Sequence, residues 1–374
     1  MAARPVTRTP KATATRGAAA TPNPRVRDLR LPSAGPSVEW DIRTAYDFVF
    51  SLSDDAGSTD DLPAADRAWL SEAKADLRTR LGDATELYGK ELCVVLAGLA
   101  VDRPEVTDAA SLVALLRTIP DETIVRLILG EDLRDPERAE IAERAIAGDE
   151  AAIDVMMERF VAHLGHEKKQ WYSEIYRDPH SVIEPAVAVL TAWLPVFQTV
   201  EGRVAAMIKR DVELRAGDRA TLGPFDLIEQ TTGGIRWLSE PGVRRVILAP
   251  SYFARPYNFL LGSADWRVFG YPISDAAIDA ADPLAPPPSV VRLHRALGDD
   301  TRLRILRLLR DRDLYLTEIA QQLDLSKPTI KHHLALLRSA GLVTVTEAGT
   351  VIYYSLRPAR LDDASSEIKR FLLG

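Results

Sequence analysis

The chain has 374 residues, 46% of them hydrophobic and 27% charged, with a net charge of −7. This balance predicts two or three soluble globular domains and argues against a low-complexity or fibrous protein. Cys93 is the one cysteine, which excludes a disulfide framework within the chain; its apolar setting, Leu92 to Leu96, reads as a small buried hydrophobe. The charge is uneven. Residues 1–37 carry seven Arg/Lys against one Asp, residues 290–357 carry eleven against seven acids, and the segment between is strongly acidic.

Residues 1–37 are mostly Ala, Thr, Pro and Arg, too poor in apolar side chains to offset the entropy of ordering, and are expected to form a disordered basic tail. No hydrophobic core of a secretory signal is present there, and no apolar run is expected to reach membrane-spanning length, so a cytoplasmic chain without membrane contact is expected. Residues 38–217 read as a helical domain, opened by Trp40 to Phe50. Residues 84–101 are apolar enough to predict a central buried helix, and 181–215 one long helix or two joined near Pro195. Beyond Gly217 the turns Gly223-Pro224, Gly233-Gly234 and Pro241-Gly242 set off short apolar runs around Val246, Leu260 and Val268. Residues 218–278 are therefore expected to be a small α/β segment with an antiparallel sheet, packed on the helical domain. Residues 279–289 form a Pro-rich, semi-rigid linker.

Residues 290–374 carry the clearest grammar. Asp299, Asp300 and Thr301 offer caps before Leu303, Ile305, Leu306 and Leu309, and Thr317–Leu323 makes the next helix. Ser326 caps a third helix with Pro328 in its first turn, and Ile330, Leu334 and Leu337 recur on one face. Gly341 is a left-handed stop, after which Val343, Val345, Val351 and Tyr353 alternate about a turn at 347–350. Helix, short turn, helix, hairpin is a winged helix-turn-helix. A C-terminal helix with Leu361, Ala364, Ile368 and Phe371 follows and suits dimerisation, as does the stripe Val290, Leu293 and Leu297. The overall fold class is thus mainly α: a large helical N-terminal domain with a small β-containing segment, plus a C-terminal winged helix-turn-helix.

With Ile330 and Leu334 inside, Thr329 and His332 face outward, where a major groove presents base edges. Lys327, Lys331 and Arg338 are placed to meet backbone phosphates, Gly349 and Thr350 at the wing tip to approach the backbone or minor groove, and Ser326 belongs to the same DNA-binding set. The expected partner is double-stranded DNA with an inverted-repeat operator, read by a homodimer.

This stretch resembles the ArsR family of bacterial winged-helix repressors. The resemblance rests on Leu297-Gly298-Asp299-Asp300-Thr301-Arg302-Leu303, on Leu325-Ser326-Lys327-Pro328-Thr329-Ile330-Lys331-His332-His333-Leu334, on Leu337-Arg338-Ser339-Ala340-Gly341-Leu342-Val343 and on Tyr353-Tyr354-Ser355-Leu356. It covers the last quarter of the chain. It implies a dimeric, operator-binding repressor that releases DNA on sensing a signal. Leu248-Ala249-Pro250-Ser251-Tyr252-Phe253 and the Pro-rich linker look like a subset of the family with a long N-terminal extension.

Metal and enzyme readings find little support. At the family's cysteine site this chain has Asp313 to Glu318 without Cys, and residues 358–374 contain no His. His163 and His166 lack a third ligand, so no metal and no cofactor are expected. No nucleophile elbow, phosphate loop or dinucleotide fingerprint occurs, so no catalytic residue is nominated and no enzyme is expected. Aromatic residues remain as an effector pocket: Trp171, Tyr172, Trp193, Phe197, Trp237 and Tyr252 are expected to bind an organic effector. The alternative is a DNA-tethered protein-interaction module without a small-molecule effector.

Overall fold

The computed structural model describes residues 35–374 except 55, 58, 59, 83, 88–92, 136, 264, 279–283, 349, 350 and 374. Nearly all of the basic tail and part of the Pro-rich linker therefore lie outside the described residues. The fold is mainly α with a C-terminal winged helix-turn-helix, as expected.

The described chain opens with strand β1 (Ser37–Trp40), helix α1 (Thr44–Phe50) and helix α2 (Ala64–Leu81). Short helices follow, then His166–Arg177 and the long helix α3 (Pro179–Leu214), which runs unbroken through Pro185 and Pro195. Helix α4 (Pro224–Thr231) leads into β2 (Ile235–Arg236), β3 (Arg245–Ser251), β4 (Phe259–Gly262) and β5 (Trp266–Pro272).

Two helical expectations are corrected. Val38 to Trp40 is strand, because Val38 and Trp40 alternate with Ser37 and Glu39 and pair in parallel with Val246 and Leu248 of β3. In place of one helix over 84–101, the structure has Ala84–Leu87, Cys93–Leu96 and a 3-10 turn at Ala97–Ala100. Gly98 lies so close to Trp266 that a Cβ would sit 3.0 Å from its ring.

The sheet runs β1-β3-β5-β4 and is mixed rather than antiparallel: β3 is parallel to both β1 and β5, and only β4 is antiparallel. Its central strands are buried on both faces, as parallel strands usually are. Ile247, Ala249, Trp266 and Val268 join the large helical core, while Val246, Leu248, Phe269 and Tyr271 join a smaller cluster with Leu227, Ile228 and Trp237. Helix α1 lies on the larger-core side and is fixed by Asp47. Its buried carboxylate accepts from the amides of Tyr252 and Phe253, both at 3.1 Å, and from the Ser251 hydroxyl.

The stretch Pro179–Thr221 is long and apolar enough to cross a membrane by length and composition alone, which corrects the expectation that no run approaches that length. Here it is the central helix of the body, with Val189, Leu190, Trp193, Phe197, Val204 and Ile208 buried.

The C-terminal region contains α5 (Pro288–Leu297), α6 (Asp300–Leu309), β6 (Leu314–Tyr315), α7 (Leu316–Leu323), α8 (Lys327–Ser339), the wing strands β7 (Val343–Ala348) and β8 (Val351–Leu356), and α9 (Pro358–Leu373). Its core includes Leu293 and Ala296 of α5, Ile330, Leu334 and Leu337 of α8, and Ala364 of α9. Leu293 and Ala364, read from the sequence as parts of dimerisation stripes, therefore complete the fold of one chain. Leu361 and Leu372 stay exposed at 39% and 66%.

The wing sheet has four strands, β2-β7-β8-β6, so the body contributes a strand to the winged helix. Ile235 and Arg236 pair in parallel with Val345 and Thr346, and the Val345 amide donates to the Gly234 carbonyl at 2.8 Å. Gly234 has φ +126°, and a Cβ there would lie 2.9 Å from the Val343 carbonyl oxygen. Side chains reinforce the seam. Glu229 accepts from Thr344 at 3.2 Å and from Arg236 at 2.9 Å, and Arg357 donates to Gln230 at 2.7 Å.

Candidate nucleic-acid interface

Helix α6 starts at Asp299, whose carboxylate accepts from the Arg302 amide at 2.9 Å. That hydrogen bond holds the Asp299 carboxyl below the ordinary carboxylate range. Helix α7 is opened by Glu318, which accepts from the Tyr315 amide at 3.1 Å, and is closed by Asp324 in the left-handed conformation, φ 54°. Asp324 turns the chain sharply, so only Leu325 and Ser326 separate it from the next helix.

Ser326 caps α8. Its Oγ accepts from the Thr329 amide at 3.3 Å and lies 2.7 Å from the Thr329 hydroxyl. The cap satisfies one amide that the first helical turn leaves without a partner, and Pro328 supplies no amide that needs one. Ile330, Leu334 and Leu337 turn into the core. Lys327, Thr329, Lys331, His332 and Arg338 consequently all stand exposed on α8, with Ser326 exposed at its start. Gly341, φ 69°, ends the helix and directs the chain into β7. Val343 to Ala348 pairs with Val351 to Leu356 as an antiparallel hairpin. Gly349 and Thr350 lie outside the described residues.

The six aromatic residues expected to form an effector pocket are not brought together. Trp193, Phe197 and Tyr252 are fully buried in the body: Trp193 donates to Ser51 at 2.9 Å, Phe197 packs on Phe48 at 5.3 Å, and Tyr252 bonds Asp66. Trp171 and Tyr172 form a half-buried edge-to-face pair at 5.2 Å. Trp237 belongs to the smaller cluster, stacked on Phe225. Large aromatic side chains fill these cores because each removes much apolar area from water.

His163 and His166 are exposed, and no group of three or more His, Cys, Asp or Glu suited to a metal occurs among the described residues. Sequence reasoning missed the strand β2. A two-residue strand after Gly233-Gly234 has no periodicity to read, and its partner lies more than 100 residues away. It also missed a set of buried ionic contacts between α5 and the body, where Arg292 pairs with Asp61 and the Ser289 amide donates to Asp275 at 2.9 Å.

Comparison of the sequence with known proteins finds relatives of the C-terminal region. Residues 299–345 match the family described as bacterial regulatory protein, arsR family. The chain is 37% identical over 78 residues to the transcriptional repressor SdpR of Bacillus subtilis (strain 168), covering 21% of this chain and 87% of that protein. It is 38% identical over 85 residues to the HTH-type transcriptional regulator CmtR of Mycobacterium tuberculosis (strain ATCC 25618 / H37Rv), covering 23% and 72%. Among solved structures, HlyU from Vibrio cholerae N16961 is similar at 29% identity over 23% of this chain and 94% of that one, with a TM-score of 0.19.

Proposed function

We propose a mode of action from one premise: this chain belongs to the ArsR family of bacterial regulatory proteins and is a transcriptional regulator that binds double-stranded DNA. It acts as a repressor, as the name of its relative, the transcriptional repressor SdpR, suggests. It works as a dimer in the cytoplasm, and as a regulator rather than an enzyme. The observation that carries this reading is α8: a capped helix with three buried anchors that leaves Lys327, Thr329, Lys331, His332 and Arg338 outward. Thr329 and His332 read base edges. Ser326, Lys327, Lys331 and Arg338 hold backbone phosphates, and the wing tip at Gly349 and Thr350 reaches the adjacent backbone. The exposed Leu361 and Leu372 of α9 belong to the dimer contact.

Residues 38–278 form the sensing body and residues 290–374 the DNA-binding unit. A signal received by the body relieves repression. The contacts that support this coupling are the β2–β7 seam and the ionic contacts of α5, which bind the winged helix to the body at two places. A signal changes DNA affinity only if it favours one of two arrangements of these contacts.

The test of the DNA reading is Lys331→Ala in the full chain. Binding is expected to weaken on every sequence, and the slope of log affinity against log salt to fall by about one unit per protomer. An unchanged slope removes Lys331 from the interface.

A further inference from the structure

Helix α4 and strand β2 of the body meet the winged helix at the root of the wing, where the hairpin joins the rest of that unit. We propose that they clamp the wing root, set the angle between the wing and α8, and so make DNA affinity depend on the body. The inference rests on the DNA reading above and adds where the body acts on it.

The hairpin has two joints. The chain enters it through Gly341 and Leu342 after α8, and leaves it through Arg357 before α9. The joints are tied to each other, since the Arg357 amide donates to the Leu342 carbonyl at 3.0 Å. The body holds both. A Cβ on Gly341 would lie 3.5 Å from the Gly233 carbonyl oxygen, so the turn after α4 abuts the entry. At the exit, Arg357 donates to Gln230 of α4 at 2.7 Å. Between the joints, Glu229 accepts from Thr344 at 3.2 Å, and β2 pairs with the edge of β7. Without β2 that edge would present unpaired amides and carbonyls.

The wing sequence bears the mark of this contact. Residues 343–346 read Val-Thr-Val-Thr, the alternation of a strand with one face in a core and one in water. Yet Thr344 and Thr346 are 1% and 0% exposed, so the face that this pattern leaves to water is closed in the full chain. Val351 and Ile352, at the start of β8, stay open. The hairpin is thus held at its root and along β7, and free on the β8 side.

The clamp is anchored in the body. Leu227 and Ile228 of α4 share a core with Val246 and Leu248 of β3, and Asn258 donates to the Thr232 carbonyl at 3.0 Å. A shift of α4 within the body therefore moves the wing root relative to α8. The seam is short, a two-residue strand and hydrogen bonds of modest net worth, which suits a contact that a signal opens.

The experiment compares full-chain variants on a labelled duplex enriched by the wild-type chain, by anisotropy and by hydroxyl-radical footprinting. Gly234 has φ +126°, and a side chain there meets the Val343 carbonyl oxygen, so Gly234→Val forces the seam apart. Glu229→Ala combined with Gln230→Ala removes the side-chain bonds and leaves the glycine turn alone, so it stays informative if Gly234→Val does not fold. Both proteins are expected to bind about tenfold more weakly. Both should lose protection of the backbone flanking each half-site, under the wing, and keep protection at the half-sites themselves. Unchanged affinity and flanking protection in either folded variant overturns the clamp. So does equal loss at half-sites and flanks, the sign of a general disturbance of the winged helix. Tighter binding overturns it too, because the body would then hold the wing away from DNA. A wild-type chain that binds no duplex sinks the DNA reading and the clamp with it; a wild type that binds, beside variants that bind identically, sinks the clamp alone.

Discussion

Replacing Lys327, Lys331 and Arg338 together by alanine is expected to lower DNA affinity on the order of a thousandfold near physiological salt. All three side chains are exposed on α8. On the proposed reading of a dimer with three phosphate contacts per protomer, the change removes six, each of which displaces bound counterions from the duplex. The salt slope should fall by about five units, because each contact contributes about 0.9. The fold should survive, since the buried anchors Ile330, Leu334 and Leu337 are untouched. Fluorescence anisotropy with a labelled duplex from low to high salt measures both quantities. A loss of affinity with the slope unchanged would instead mean that the helix was disturbed.

A second large effect is expected in the body. Asp47→Ala leaves the Tyr252 and Phe253 amides and the Ser251 hydroxyl facing an apolar interior without their acceptor. Losing a buried carboxylate with three donors costs about 3–5 kcal/mol, measurable by urea denaturation; a loss under about 1 kcal/mol would contradict this account of the α1 contact. The pH dependence has a definite sign. Burial raises the Asp47 carboxyl above the ordinary carboxylate range to about 6, against the lowering effect of its hydrogen bonds. The folded state therefore holds this proton more tightly than the unfolded chain. The stabilisation is complete below about pH 4 and is lost as pH rises through 6. Asp47→Asn does not titrate. The difference between wild-type and variant stability should change across this window, and the two curves should run parallel above it.

The winged helix was legible because its signals are local. Asp299 and Ser326 lie one turn before the amides they cap, and Ile330, Leu334 and Leu337 follow the helical repeat. Gly341 takes a conformation that glycine favours. The body was legible as mainly helical but not in its joints. Four alternating residues at Ser37–Trp40 are too few to outweigh the helical pattern after them, and their partner β3 lies some 200 residues on. The aromatic residues are close in sequence or in type, which says nothing of whether they line a cavity or fill a core. Trp193, Phe197 and Tyr252 fill one. Strand β2 and the contacts of α5 depend on tertiary docking, which pairs Gly234 with Val345 and brings the Ser289 amide to Asp275. The Pro-rich stretch reads as a semi-rigid linker as far as 289, yet α5 already begins at Pro288 and is capped by Asp275.

The central claim, a dimer that reads DNA through two copies of α8, is tested most directly by selecting bound duplexes from a random pool with the full chain. The account predicts an enriched inverted repeat whose half-sites are centred about one helical turn, or a multiple of it, apart, with two protomers bound per duplex. A pool that yields no enriched sequence, or a single half-site bound by one protomer, would contradict it.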